Sequence, residues 1–129
     1  MKKYATIDSS NHPTINVTFT GEQATDDNFV FYMQEVKAVY EQKKKVAIVF
    51  DATNAVFPAM KYQKMQADWL KENEQLMKDF CLGTAYIIPN LVIRNVLKAI
   101  FAFQKQQVEY LVCKNRTDAQ IWINEKIKN

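Results

Sequence analysis

Asp51 is the carboxylate best placed to touch a ligand, because it ends the apolar run Val46-Ala-Ile-Val-Phe50. In open α/β sheets, ligands bind at the carboxyl ends of parallel strands. Acid–base catalysis needs a second titrating group or an oriented nucleophile nearby. The single histidine, His12, belongs to a turn far from Asp51 in the chain. No catalytic constellation is read, no enzymatic activity is expected, and Asp51 is expected to bind loop amides or a polar ligand group. One histidine and two cysteines make no metal-ligand set, so neither a metal nor another cofactor is expected. Cys81 and Cys113 fall in separate predicted strands and are expected to be reduced, packed thiols. Thr53 is the hydroxyl nearest Asp51, and its expected role is to bond the local backbone.

A second group of candidates lies at residues 91–103. Leu91, Val92, Ile93, Val96, Leu97, Ile100, Phe101 and Phe103 cover more than one stripe of a helix, so burial against a sheet should leave apolar surface for something else to cover. Ile100 and Phe101 are candidates for that contact surface. Asn90 and Arg94, near the start of the segment, could hold a polar or anionic group. Trp69 and Trp122 occupy the apolar phases of their helices and are expected in the core. Met60, Met65 and Met77, with Tyr62, give another helix a soft face suited to an irregular partner or an apolar ligand.

The elements that must position these residues follow from pattern. Tyr4–Ile7 and Thr14–Phe19 read as strands joined by the turn formers of Asp8–Pro13. Thr25 with Asp26 and Asp27 opens a helix of about 18 residues, on which Phe29, Met33, Val36, Val39 and Tyr40 recur at helical spacing. Val46–Phe50 reads as a central strand covered on both faces. An irregular stretch from Ala52 to Pro58 leads to a long helix carrying Met65, Trp69, Leu76 and Met77. Leu82–Ile88 is the next strand, Pro89-Asn90 opens the helix at 91–103, and Val108–Cys113 is the last strand. Thr117-Asp-Ala-Gln120 reads as the capping box of a final helix anchored by Ala119, Trp122 and Ile123. The order β-β-α-β-α-β-α-β-α predicts an α/β fold: a mixed, mostly parallel single-layer sheet with an N-terminal antiparallel hairpin.

At 129 residues the chain is expected to be one domain, 1–129. Its formal charge of +3 comes from seventeen basic and fourteen acidic residues, and only Arg94 and Arg116 are arginines. Lysines dispersed among acids do not suit phosphate or base readout, so no nucleic-acid partner is expected. The Lys43-Lys44-Lys45 run is expected to cap the carbonyl end of a helix. No signal peptide or transmembrane segment is read, and the expected location is the cytoplasm.

The strand Val46–Asp51, the helical Ala67-Asp-Trp-Leu-Lys-Glu-Asn73, the stretch Gly83-Thr-Ala-Tyr-Ile-Ile-Pro-Asn90 followed by Ile93-Arg-Asn-Val96, and Ala119-Gln-Ile-Trp122 resemble the SpoIIAA-like, STAS/SEC14-type domain family. The resemblance covers nearly the whole chain. It implies a small α/β binding module of the kind found in anti-sigma-factor antagonists and in the cytoplasmic parts of anion transporters. In the antagonists, a serine at the start of the helix after the central strand is phosphorylated. Here those positions fall near Met60 and Lys61, so the phosphoserine switch is not expected and Thr53 is the only nearby hydroxyl. Two functions compete, and the first is the one expected, with the second as its alternative. One is an interaction module that binds a protein partner or a second copy through an apolar helical surface. The other is a carrier or sensor of a small hydrophobic or amphipathic ligand, in which the second and third helices part over a cavity and Asp51, Asn90 or Arg94 orients a polar head.

Overall fold

The computed structural model describes residues 1–128. Strands β1 (Ala5–Asp8) and β2 (Thr14–Phe19) form the antiparallel hairpin, and β3 (Val46–Asp51), β4 (Cys81–Ile87) and β5 (Tyr110–Cys113) add to it in parallel. The spatial order is β1-β2-β3-β4-β5. Right-handed crossovers that always advance in the same direction place their helices on one face of a sheet. Accordingly α1 (Asp26–Glu41), α2 (Met60–Glu72), α3 (Glu74–Phe80) and α4 (Leu91–Phe103) share one face, and α5 (Arg116–Lys128), which follows the last strand, covers the other.

Alternation along the strands divides the interior into two cores. In β3, Val46, Ile48 and Phe50 join the large core beneath α1 to α4, and Ala47 and Val49 join the smaller one beneath α5. All five are buried, as an unbroken apolar strand covered on both sides must be.

Local chemistry sets the ends of the elements. The Thr25 side chain accepts from the Asn28 amide while the Asn28 side chain accepts from the Thr25 amide, a reciprocal cap that begins α1. The lysine run starts beyond Gln42, the C-cap of α1, so it does not occupy the last helical turn, and Lys43 itself takes a left-handed conformation with φ 59°. The long helix expected after β3 is two helices broken at Asn73. There the backbone N–H makes the regular helical bond to the Trp69 carbonyl and the Asn73 side-chain amide donates to the same oxygen, a local side-chain bond of the kind that competes with continuation of a helix. The final helix starts before the expected Thr117 box: the Asn115 side chain accepts from the Asp118 amide at 2.8 Å, and Asn is as good a cap as Thr. Strand β5 is shorter than expected because Val108 lies outside it, with its carbonyl taken by the Gln106 side chain. Strands β1 and β4 are each displaced by one residue from the expected bounds.

Gly83 shows how closely α5 approaches the sheet. A Cβ at this position would lie 2.9 Å from Trp122 Cη2 and 3.1 Å from Cζ3, inside any normal contact. Gly83→Ala is therefore expected to destabilise the fold by about 1–3 kcal/mol through overpacking, seen as a lower urea midpoint at unchanged slope. Trp122→Phe in the same background should recover part of the loss; an unchanged midpoint for Gly83→Ala alone would refute the packing account.

Candidate functional site: an aromatic-floored cavity

A row of rings crosses the sheet on the face of α1 to α4, contributed by successive strands. Phe50 stacks on Tyr86 at 5.1 Å and on Phe19 at 6.4 Å. Tyr4, just before β1, meets Phe19 edge-on at 5.5 Å, and Tyr110 meets Tyr86 edge-on at 6.1 Å. Parallel registry makes the row: Phe50 pairs directly with Tyr86 across β3 and β4, and with Val17 of β2, two residues from Phe19. Each ring is a large apolar body held upright between neighbours.

Above these rings lies a cavity of about 110 Å³. Tyr32 and Val36 of α1, Trp69 and Leu70 of α2, and Val96 and Ile100 of α4 close it from the helical side. Trp69 is fixed by its indole N–H, which donates to the Met33 carbonyl at 3.1 Å. Every lining side chain is uncharged. The polar atoms that reach the cavity are phenols, amides and one threonine. Gln106, buried in the segment after α4, donates to Thr84 Oγ1 at 2.8 Å and accepts from the Tyr86 hydroxyl at 2.5 Å. Gln63 is likewise buried and donates to the Pro58 carbonyl at 2.9 Å. Burial raises the Tyr4 hydroxyl to about 12 and pushes Tyr32, Tyr40 and Tyr86 upward as well, so all four remain neutral hydrogen-bonding groups at physiological pH.

The residues singled out in the sequence are distributed unequally around this cavity. Ile100 is buried and Phe101 half-buried, and both line it. Neither therefore presents the exposed contact surface expected of the 91–103 helix; the exposed large apolar residues there are Leu91, Val92 and Phe103. Arg94 turns back on the chain and donates from Nε to the Ile88 carbonyl at 2.7 Å. Asn90 caps α4 by accepting from the Val92 amide at 2.8 Å. Asp51 does not face the cavity, because it shares strand parity with Ala47 and Val49 on the α5 side. Its Oδ1 accepts from the Thr53 amide at 3.0 Å and the Thr53 hydroxyl at 2.6 Å, and its Oδ2 meets Arg116 Nη2 at 3.1 Å. Arg116 Nη1 also donates to Asn16 Oδ1 at 3.1 Å. This cluster ties β2, β3 and α5 together and is distinct from the cavity.

Cys81 and Cys113 are buried free thiols, and burial raises both. Among the described residues no group of three or more His, Cys, Asp and Glu side chains could hold a metal ion, and no helix is long and apolar enough to cross a membrane. The sequence reading missed the floor residues Phe19, Phe50 and Tyr86 and the polar residues Thr84 and Gln106. An aromatic residue near the end of three successive strands was the available signal. Compared with known proteins, the chain matches no family model and no curated protein.

The Asp51 cluster gives a pH-dependent contribution to stability. Partial burial raises the Asp51 carboxyl, but the two Thr53 hydrogen bonds and Arg116 outweigh it and leave the group below the usual carboxylate value of 3.8. A lowered folded pKa stabilises the fold above the unfolded value, and that contribution is lost as pH falls through the folded one. Asp51→Asn should cost about 1 kcal/mol at neutral pH, since the half-exposed Arg116 is screened. It should also flatten the stability curve below about pH 4. Urea titrations of both proteins across that range check it; parallel curves would refute the assignment.

Proposed function

We propose that this chain is a non-enzymatic, cytoplasmic binding module of STAS/SEC14 type that carries or senses a small hydrophobic ligand held between the sheet and helices α1, α2 and α4. The observation that carries this reading is the cavity of about 110 Å³ with wholly uncharged walls. Close packing is the rule in protein interiors, and an unfilled apolar void costs stability in proportion to its volume. A chain that keeps such a void, floors it with stacked rings and furnishes it with a few hydrogen-bonding groups has the composition of a ligand site. The position of Ile100 and Phe101 in the cavity wall shifts weight from a helical contact surface to a ligand site. Asp51, Asn90 and Arg94 are not used as head-group contacts in this reading, because none of the three lines the cavity.

A second reading, association with a protein partner or a second copy, draws on a different observation. Leu91, Val92, Phe57 and Met60 are exposed at 71%, 56%, 54% and 60%. They belong to the starts of α4 and α2 and to the loop before α2, the segments that follow the carboxyl ends of β3 and β4. Sedimentation velocity over a range of concentrations tests it. The association reading expects a dimer that Leu91→Lys with Val92→Lys dissolves without unfolding, and a concentration-independent monomer would set self-association aside.

For the ligand reading, native mass spectrometry of gently purified protein should show a constant added mass of one small molecule. Val96→Phe, which projects a larger side chain from α4 into the void, should lose that mass while its far-ultraviolet circular dichroism is unchanged. Retention of the same mass by Val96→Phe would place the ligand elsewhere. A bare protein whose Trp69 emission also ignores added apolar probes would end the ligand reading.

A further inference from the structure

Two hydroxyls in the cavity wall have nothing in the chain to bond. Tyr32 and Tyr4 are 6% and 7% exposed and both line the cavity. Among the described residues no fully occluded side-chain nitrogen or oxygen lacks a hydrogen-bond partner. Neither phenol has such a partner, so each oxygen retains accessible surface. Both residues line the cavity, the space in which a ligand would meet them. The Tyr32 ring is enclosed by Tyr4, Phe19 and Phe29 at 5.4, 5.6 and 5.7 Å, and burial raises its hydroxyl, with the Tyr4 and Tyr86 phenols adding to the shift. Among the other polar side chains of the wall, Tyr86 and Thr84 are engaged with Gln106, Gln63 with Pro58 and Tyr62 with Asp26.

An unpaired buried donor costs free energy that a ligand acceptor restores. The neutral walls make an ionised ligand group unfavourable, because no lining residue can compensate its desolvation. The volume limits the size: a void of about 150 Å³ accepts a benzene ring, and this one is about 110 Å³.

Building on the ligand reading, we propose that the occupant is a small uncharged carbonyl compound, a short-chain ketone, ester or amide smaller than a substituted ring. Its oxygen accepts a hydrogen bond from Tyr32, with Tyr4 beside it, and its hydrocarbon part lies over the Phe50 and Tyr86 rings. Phenols suit this role because a carbonyl oxygen has two lone pairs and Tyr32 and Tyr4 offer two donors.

The experiment compares butanone with 2-methylbut-1-ene, which has the same shape but a methylene group in place of the acceptor, and with propanoate, which carries a charge. Binding to the full chain is followed by tryptophan emission, to which Trp69 in the cavity wall contributes, and by proton–nitrogen NMR. Butanone and 2-methylbut-1-ene are expected to bind and propanoate is not. Tyr32→Phe should weaken butanone about threefold to tenfold, the worth of one net hydrogen bond, and leave 2-methylbut-1-ene unchanged or tighter. The empty variant should melt no lower than the parent, since the hydroxyl removed has no partner in the chain. Should Tyr32→Phe fail to fold, Tyr4→Phe gives the same comparison. If the variants shift butanone and 2-methylbut-1-ene equally, or if propanoate binds as well as butanone, the carbonyl proposal is wrong while the cavity reading stands. If neither neutral probe binds, both fail.

Discussion

The sheet carries side chains of very different size on its two faces, and the rest of the architecture follows from that asymmetry. On the α5 face, Ala47, Val49, Gly83 and Ala85 are small, and α5 meets them with Ala119 and Ile123. Small residues let a helix settle close, and the contact of Trp122 with Gly83 shows that no further room remains. On the other face Phe19, Phe50 and Tyr86 stand across the strands. Helices laid over such rings are held away from the backbone. Helix α4 reaches the sheet through Phe101, whose ring lies 5.0 Å from Tyr110 and 6.3 Å from Tyr86, and it otherwise leans on α2. The void beneath is the geometric remainder of that arrangement.

Much of the fold was legible because its signals are local. A five-residue apolar run too short for a helix, Val46–Phe50, is a two-sided strand wherever it occurs, and the Thr25 cap with its helical apolar spacing allowed one interpretation. The breaks were harder. Asn73 ends α2 through a side-chain bond to Trp69, and nothing in the apolar period around Leu76 and Met77 announces it. The cavity was the least legible part. In the 91–103 helix nearly every position is apolar, so periodicity could not separate Ile100, which turns inward, from Leu91, which turns out. The aromatic row depends on register between strands far apart in the sequence, as in the pairing of Phe50 with Tyr86, and Gln106 becomes meaningful only when it meets Thr84 and Tyr86. The side taken by Asp51 was in principle readable. Counting by twos from Ala47 puts it opposite Phe50, away from the ring face, but the location of the ligand face had first to be known.

Separation of charge from the cavity is the remaining step, and it bears on specificity. Asp51 and Arg116 are engaged with each other across the α5 face, and the other ion pairs, such as Lys61–Asp26 and Lys78–Glu74, sit on exposed helix surface. None of these charged residues lines the cavity. With no fixed charge inside, discrimination among occupants must come from shape and hydrogen bonding, and the phenol, amide and threonine groups of the wall supply the second. A site built to bond a polar group rejects analogues that lack it more strongly than an apolar wall can reject an extra methyl. Desolvation acts against ions in the same direction. Because α5 contributes no residue to the cavity wall, the smaller core and the Asp51–Arg116 contact can hold the sheet together whether or not the cavity is filled. A ligand that changes the packing of α4 on α2 would then alter the exposed apolar residues at their starts, Leu91, Val92 and Met60, without unfolding the opposite face.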